Sequence, residues 1–153
     1  MKTKIWTAAL VVFVGALPAT FPSRLHAMFA PYTDRELIEK SALIVQAEYL
    51  GQTEVQLGGQ TASVCLGVLA VREVCKGNPQ EKVVLIAVPT PGKPVSGSDI
   101  FYRPGQDGLW FLAARPGGPA GIHVADHPQR FIPTGTGQAR IAAFKKLLRE
   151  VKL

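Results

Sequence analysis

The chain has 153 residues, of which 47% are hydrophobic and 18% charged, and its formal net charge is +6. That length sets one domain as the expectation and excludes a (β/α)₈ barrel, which takes roughly 200 residues or more; the hydrophobic content excludes intrinsic disorder. Fifteen glycines and twelve prolines without a repeat period point to a loop-rich β protein rather than a helix bundle.

The amino terminus has the layout of a secretory signal peptide. Lys2 and Lys4 precede an uncharged run from Ile5 to Leu17, and Leu25-His26-Ala27 ends on a small residue. Cleavage is expected after Ala27, with Ala19 as the alternative. The apolar run is shorter than the ~18 residues that span a bilayer, and Pro18 and Pro22 interrupt its extension. Residues 1–27 are therefore read as a signal peptide, and residues 28–153 as one exported domain, periplasmic or extracellular. Membrane contact would come only through an uncleaved signal segment.

This division redistributes the charge. Residues 1–27 hold Lys2, Lys4 and Arg24 and no acid, which leaves +3 on residues 28–153. The last sixteen residues carry Arg140, Lys145, Lys146, Arg149 and Lys152 against Glu150, a net +4. Residues 28–137 are left at −1. A nucleic-acid binder spreads Lys and Arg over one face of its domain, so the partner is expected to be a protein or a small neutral ligand.

Met28 to Thr33 reads as an extended lead. Thr33 and Glu36 have capping-box spacing, which predicts a short helix from Asp34 to Lys40. Ser41–Leu50 is the first strand, with Val45, Ala47 and Tyr49 on one face and Gln46 and Glu48 on the other. Gly58-Gly59 marks a turn. Thr61–Val74 is the second strand, with Val64, Leu66, Val68, Ala70 and Val74 on one side, interrupted by Arg72, and Cys65, Gly67, Leu69 and Val71 on the other. Apolar residues on both sides suit a bent strand covered twice, with Gly67 as the place for a bulge or sharp coil. Lys76–Pro79 closes it. Lys82–Val88 is continuously apolar and hence central. After the Pro/Gly-rich loop 89–98, Leu109–Ala114 is the fourth strand and Ile122–Ala125 the fifth, with Arg130–Ile132 as an extended return. Gln138–Lys152 is an amphipathic helix: at ~100° per residue, Ile141, Phe144, Leu147, Leu148 and Val151 share a sector of about 120°.

Few residues suggest chemistry. Cys65 and Cys75 lie ten positions apart in one strand, or ~33 Å if it is straight, whereas a disulfide needs Cα atoms within ~7 Å; both are expected to be free. His123, Asp126 and His127 are the one cluster of metal-ligand types, but the flanking glycines and prolines argue for strand or loop, where the histidines stand ~13 Å apart. They are weak metal candidates. There is no G-x-S-x-G elbow, no phosphate loop and no recognisable carboxylate pair. The expectation is a non-enzymatic module with no cofactor. Phe101, Tyr102 and Arg103, next to the Pro/Gly-rich loop, are the candidate contact residues. The basic face of the last helix offers a further alternative, an anionic surface, against the plainer reading of cations near a helix C-terminus.

The segments "SALIVQAEYLG", "VLAVREVCKG", "KVVLIAV" and "RPGQDGLWFLA" occur in an order that resembles exported bacterial domains related to the netrin-like module and the tissue inhibitors of metalloproteinases. The resemblance spans Tyr32 to Pro133 and is most recognisable at Val71–Gly77 and Gly105–Leu112. It implies a mainly β (α+β) fold: a five-stranded OB-like Greek-key barrel with a short N-terminal helix and a C-terminal amphipathic helix. The metalloproteinase inhibitors act through a Cys at the mature N-terminus that chelates the target's zinc. The expected mature terminus here is Met28, with no Cys near it, so the resemblance carries the fold and not the inhibitory mechanism.

Overall fold

A computed structural model of the chain describes residues 29–56, 63–79, 82–94, 96–97 and 99–150. The expected signal peptide, the Gly58-Gly59 turn, Val151 and Lys152 lie outside these residues. The elements follow in the order α1 (Asp34–Glu39), β1 (Leu43–Gln56), β2 (Ser63–Lys76), β3 (Val83–Ala87), β4 (Asp107–Ala114), β5 (Ile122–Val124), a 3₁₀ turn (Pro128–Arg130), β6 (Phe131–Pro133) and α2 (Thr134–Glu150).

Five strands close into a barrel. The sheet order is β1-β2-β3-β5-β4, and β4 pairs back with β1. The β3–β5 pair is parallel and the others are antiparallel. This is an OB-like barrel with a C-terminal helix. β1 serves two neighbours: Leu43–Glu48 pairs with β4, while Ile44–Gln56 pairs with β2. β4 gives one edge to β1 and divides the other between β5 at Ala113–Ala114 and β6 at Gly108–Trp110.

β4 explains the arrangement of the core. Its residues Leu109 to Leu112 are all fully buried, because alternate side chains enter different layers. Trp110 and Leu112 point into the barrel with Val45, Ala47, Tyr49, Leu69, Val84 and Ile86. Leu109 and Phe111 face outward, where α1 and α2 cover them with Leu37, Ile38, Ile141 and Phe144. The Trp110 indole N–H donates to the Ala47 carbonyl at 2.9 Å, so the largest core side chain also ties β4 to β1.

The curvature comes from register shifts that sequence reading placed elsewhere. β1 carries an extra residue at Leu50, followed by Gly51 at φ 145°, and β2 carries extra residues at Arg72 and Cys75. Such bulges bend a strand and increase its twist. The bulge expected at Gly67 is not there, because pairing runs unbroken through it on both edges. A Cβ at Gly67 would lie 2.6 Å from the Tyr49 ring and 3.0 Å from Ile86 and Val88. Glycine at this position makes room for the ring. On β2 the barrel interior takes the Leu69 and Val71 side, and Val74 is exposed.

Several boundaries moved. β1 runs six residues past the expected end, and α2 begins at Thr134 rather than Gln138. α1 ends within a residue of expectation, and both halves of its capping box form. Ile141 and Phe144 of the expected apolar stripe are buried on the barrel, with Leu147 and Leu148 packed beside them.

The close approach at Gly67 gives a direct test. Gly67→Ala is expected to destabilise the fold by about 1–3 kcal/mol, although alanine is ordinarily the better strand residue. In a Tyr49→Leu background the added methyl should cost much less. Urea unfolding of the four proteins measures the coupling, and equal costs in both backgrounds would show that the ring is not the obstacle.

Candidate functional site

The connection between β3 and β4 is the longest described loop, and its geometry is built by short local bonds. Lys93 N–H donates to the Thr90 carbonyl at 3.3 Å, Ser96 N–H to the Asp99 carboxylate at 2.7 Å, and Arg103 N–H to the Gln106 side-chain oxygen at 2.7 Å. Its return is fastened to the barrel: Tyr49 N–H donates to the Gln106 carbonyl, and Gly105 N–H to the Tyr49 carbonyl, both at 2.8 Å.

The three candidate contact residues separate on this loop. Tyr102 turns inward. Its hydroxyl donates to the Ala125 carbonyl at 2.9 Å, and its ring meets Trp110 edge-on at 4.8 Å and Phe131 at 5.9 Å. Burial pushes the phenol well above the usual tyrosine range, with the nearby Asp126 charge adding to the shift. Phe101 turns outward and is 57% exposed, the most of any large hydrophobic side chain among the described residues. Arg103 is also exposed. Two shallow grooves flank this stretch. One, of about 290 Å³, runs along the Val88–Pro94 arm to Phe101; the other, of about 250 Å³, lies between Pro89, Ile100 and Ala125. The exposed ring thus borders a proline-walled depression that Lys93 and Asp99 also line.

His123, Asp126 and His127 are not brought together. Among the described residues, no three His, Cys, Asp or Glu side chains are grouped to hold a metal ion. His127 is buried and caps the 3₁₀ turn. Its Nδ1 accepts from the Gln129 N–H at 3.1 Å, and its Nε2 lies 3.0 Å from the Ala30 carbonyl. A nitrogen that accepts carries no proton, so the proton sits on Nε2 and both nitrogens are committed. Phe29 and Tyr32 enclose the ring at 5.0 and 4.4 Å. The Gln129 side chain bonds both main-chain groups of Tyr32, so this corner holds the N-terminal lead. Asp126 is exposed and lies 3.2 Å from Arg130 Nε. His123 is on β5, half-buried, with Nδ1 buried and without a hydrogen-bond partner among the described residues.

Arg130 gave no sign of burial in the sequence, yet it is only 4% exposed. Its Nη1 donates to the Phe111 carbonyl at 3.2 Å and lies 3.3 Å from the Ser41 hydroxyl, which itself donates to the Leu37 carbonyl. The guanidinium links α1, β4 and the 3₁₀ turn, and its role is structural. Cys65 and Cys75 lie on β2, both are free, and burial pushes both thiols up.

Part of the basic helix has acidic partners. Arg140 pairs with Asp34 at 3.4 Å, Lys145 bonds Glu73 and Gln46, and Lys146 lies 3.9 Å from Glu150. Among the described residues no helix is long and apolar enough to cross a membrane. Neither a family model nor a curated protein matches the chain.

His123 makes stability depend on pH. Burial holds its imidazole below the ordinary 6.5, with the Ala113 backbone acting in the opposite direction. Unfolding returns the group to 6.5, so the unfolded chain binds the proton more readily. The His123 contribution is therefore full above pH 6.5 and is lost as pH falls from there toward the depressed value. His123→Gln should flatten the urea-midpoint profile below about pH 6.5. An unchanged profile would show that the imidazole is not held neutral by the fold.

Proposed function

We propose that the chain is an exported, non-enzymatic binding module that meets a protein partner, or a small neutral ligand, on the loop surface around Phe101. One observation carries this reading: the barrel interior is filled. Trp110, Tyr49, Ile86 and Leu112 have at most 1% of their surface exposed, so a ligand has to be met on the outside. Phe101 is the large apolar group offered there, on a loop whose two ends are fastened to the barrel. Binding residues are commonly carried on loops that a rigid scaffold positions. The near-neutral charge of residues 28–137 favours a protein or uncharged ligand over nucleic acid. The pairing of Arg140 with Asp34 and of Lys145 with Glu73 weakens the anionic-surface reading, and the committed nitrogens of His127 weaken the metal reading.

Export rests on the signal-peptide layout of residues 1–27, and a periplasmic or extracellular location follows from it. Kinship with netrin-like domains and the tissue inhibitors of metalloproteinases belongs to the same reading. The OB-like strand order is what that kinship requires, and the first cysteine of the chain is Cys65, so zinc chelation by a terminal cysteine does not come with it.

Phe101→Asp tests the surface. Its ring is exposed, so stability should change by no more than about 0.5 kcal/mol, whereas capture of the partner from the exported fraction should be lost. Lys146→Glu, on the distant helix, should leave capture intact. Capture that survives Phe101→Asp refutes the loop surface. Intact-mass measurement of the exported protein should give a chain beginning at Met28, and retention of residues 1–27 in the cytoplasmic fraction would refute export.

A further inference from the structure

β3 is longer at its start than the strand beside it. It pairs with β2 over Val83–Ala87 but with β5 only over Leu85–Ala87. The Lys82 carbonyl accepts from Val71 N–H at 2.8 Å, and Val88 N–H donates to the Cys65 carbonyl at 3.1 Å, both on β2. Successive residues of a strand turn their main-chain groups to opposite edges. Lys82, Val84, Ile86 and Val88 therefore address β2, and Val83, Leu85 and Ala87 address the other edge. Leu85 and Ala87 meet β5 there. Val83 meets no strand, and among the described residues its N–H and C=O have no partner across that edge.

A groove of about 520 Å³ lies against this open edge, with Asn78 and Pro79 on one side and Ala120, Gly121 and His123 on the other. It shares no residue with the two grooves near Phe101. Its described lining contains no Lys, Arg, Asp or Glu, and Val83 is 45% exposed beside it.

We propose that this groove takes an extended, uncharged peptide segment of a partner protein, which adds as a short strand beside Val83. One free N–H and one free C=O on a single residue match the main chain of an extended peptide, the recognition mode of strand addition. Apolar walls at Pro79, Val83 and Ala120 suit small aliphatic side chains. The Asn78 amide and the His123 ring offer polar contact at either side. A charged side chain would lose its hydration there and meet no counter-charge among the described lining residues.

The probe is a capped pentapeptide of alternating Val and Thr, titrated into ¹⁵N-labelled protein, beside a control peptide with Pro at its centre. Binding should shift the amides of Val83–Leu85, Gly121 and His123, and the Pro control should bind at least about tenfold more weakly, a difference of roughly 1.4 kcal/mol. Val83→Pro removes the free N–H at the first residue of the strand, where proline is tolerated, and should abolish the shifts. Ala120→Glu leaves β3 intact, puts a carboxylate in the groove and should also abolish them, which covers the case in which Val83→Pro does not fold. Absence of any shift at millimolar peptide overturns the proposal. So does equal response to both peptides, which would mean apolar contact without strand addition. Shifts confined to the Phe101 loop overturn it too, while leaving the loop surface as the binding site.

Discussion

The structure depends on β4 being covered on every side. A barrel closes only if its last strand finds the first, and β4 meets β1 across six residue pairs from Leu43–Leu112 to Glu48–Asp107. The same strand must bury both faces, since Leu109, Trp110, Phe111 and Leu112 are consecutive large apolar residues. One face is absorbed by the barrel and the other requires α1 and α2. The helices are therefore the second wall of the strand that closes the sheet. Trp110 joins the two demands, because its ring packs on Tyr49, Tyr102 and Phe131 while its N–H holds the Ala47 carbonyl.

What could be read from the sequence follows from this layering. The capping box of α1, the alternation of Val45, Ala47 and Tyr49, and the run of apolar residues in β4 are local patterns that packing then reinforces. The misread positions are those where a distant partner decides. Gly51 to Gln56 lack a buried face and are strand because β2 pairs with them. Gly67 looked like a bend and instead yields space to Tyr49, which is eighteen positions away. Gly135 and Gly137 look like breakers, yet α2 starts before them. The Thr134 hydroxyl bonds the Asp107 carboxylate, and a Cβ at Gly137 would lie 2.4 Å from Ile132. That glycine lets the first turn of the helix settle on β6.

The site was legible only in part for the same reason. Phe101 and Tyr102 are neighbours with identical sequence signals, but an extended chain sends them to opposite sides, so one becomes core and the other surface. His123, Asp126 and His127 form one cluster in the sequence and three environments in space: a barrel end, solvent, and a cap under two aromatic rings. Arg130 illustrates the limit. A buried guanidinium needs acceptors, and those found are a carbonyl on β4 and the hydroxyl of Ser41, with the Asp126 carboxylate beside it as a counter-charge. The two acceptors lie 19 and 89 positions away in sequence, too far to hint at burial.

Filling the barrel has a consequence for recognition. An eight-stranded barrel has room for a ligand inside, whereas five strands closed around Trp110 and Tyr49 do not. Recognition is then left to loops and to strand edges, and closure removes most edges. Val83 keeps an open edge because β5 has only three residues and starts opposite Leu85. The brevity of β5 follows from the chain around it: Gly121 at φ 88° precedes it, and Pro128 starts the 3₁₀ turn soon after it. The residues that cut β5 short are thus the ones that leave a gap beside β3, and they place the imidazole of His123 against it.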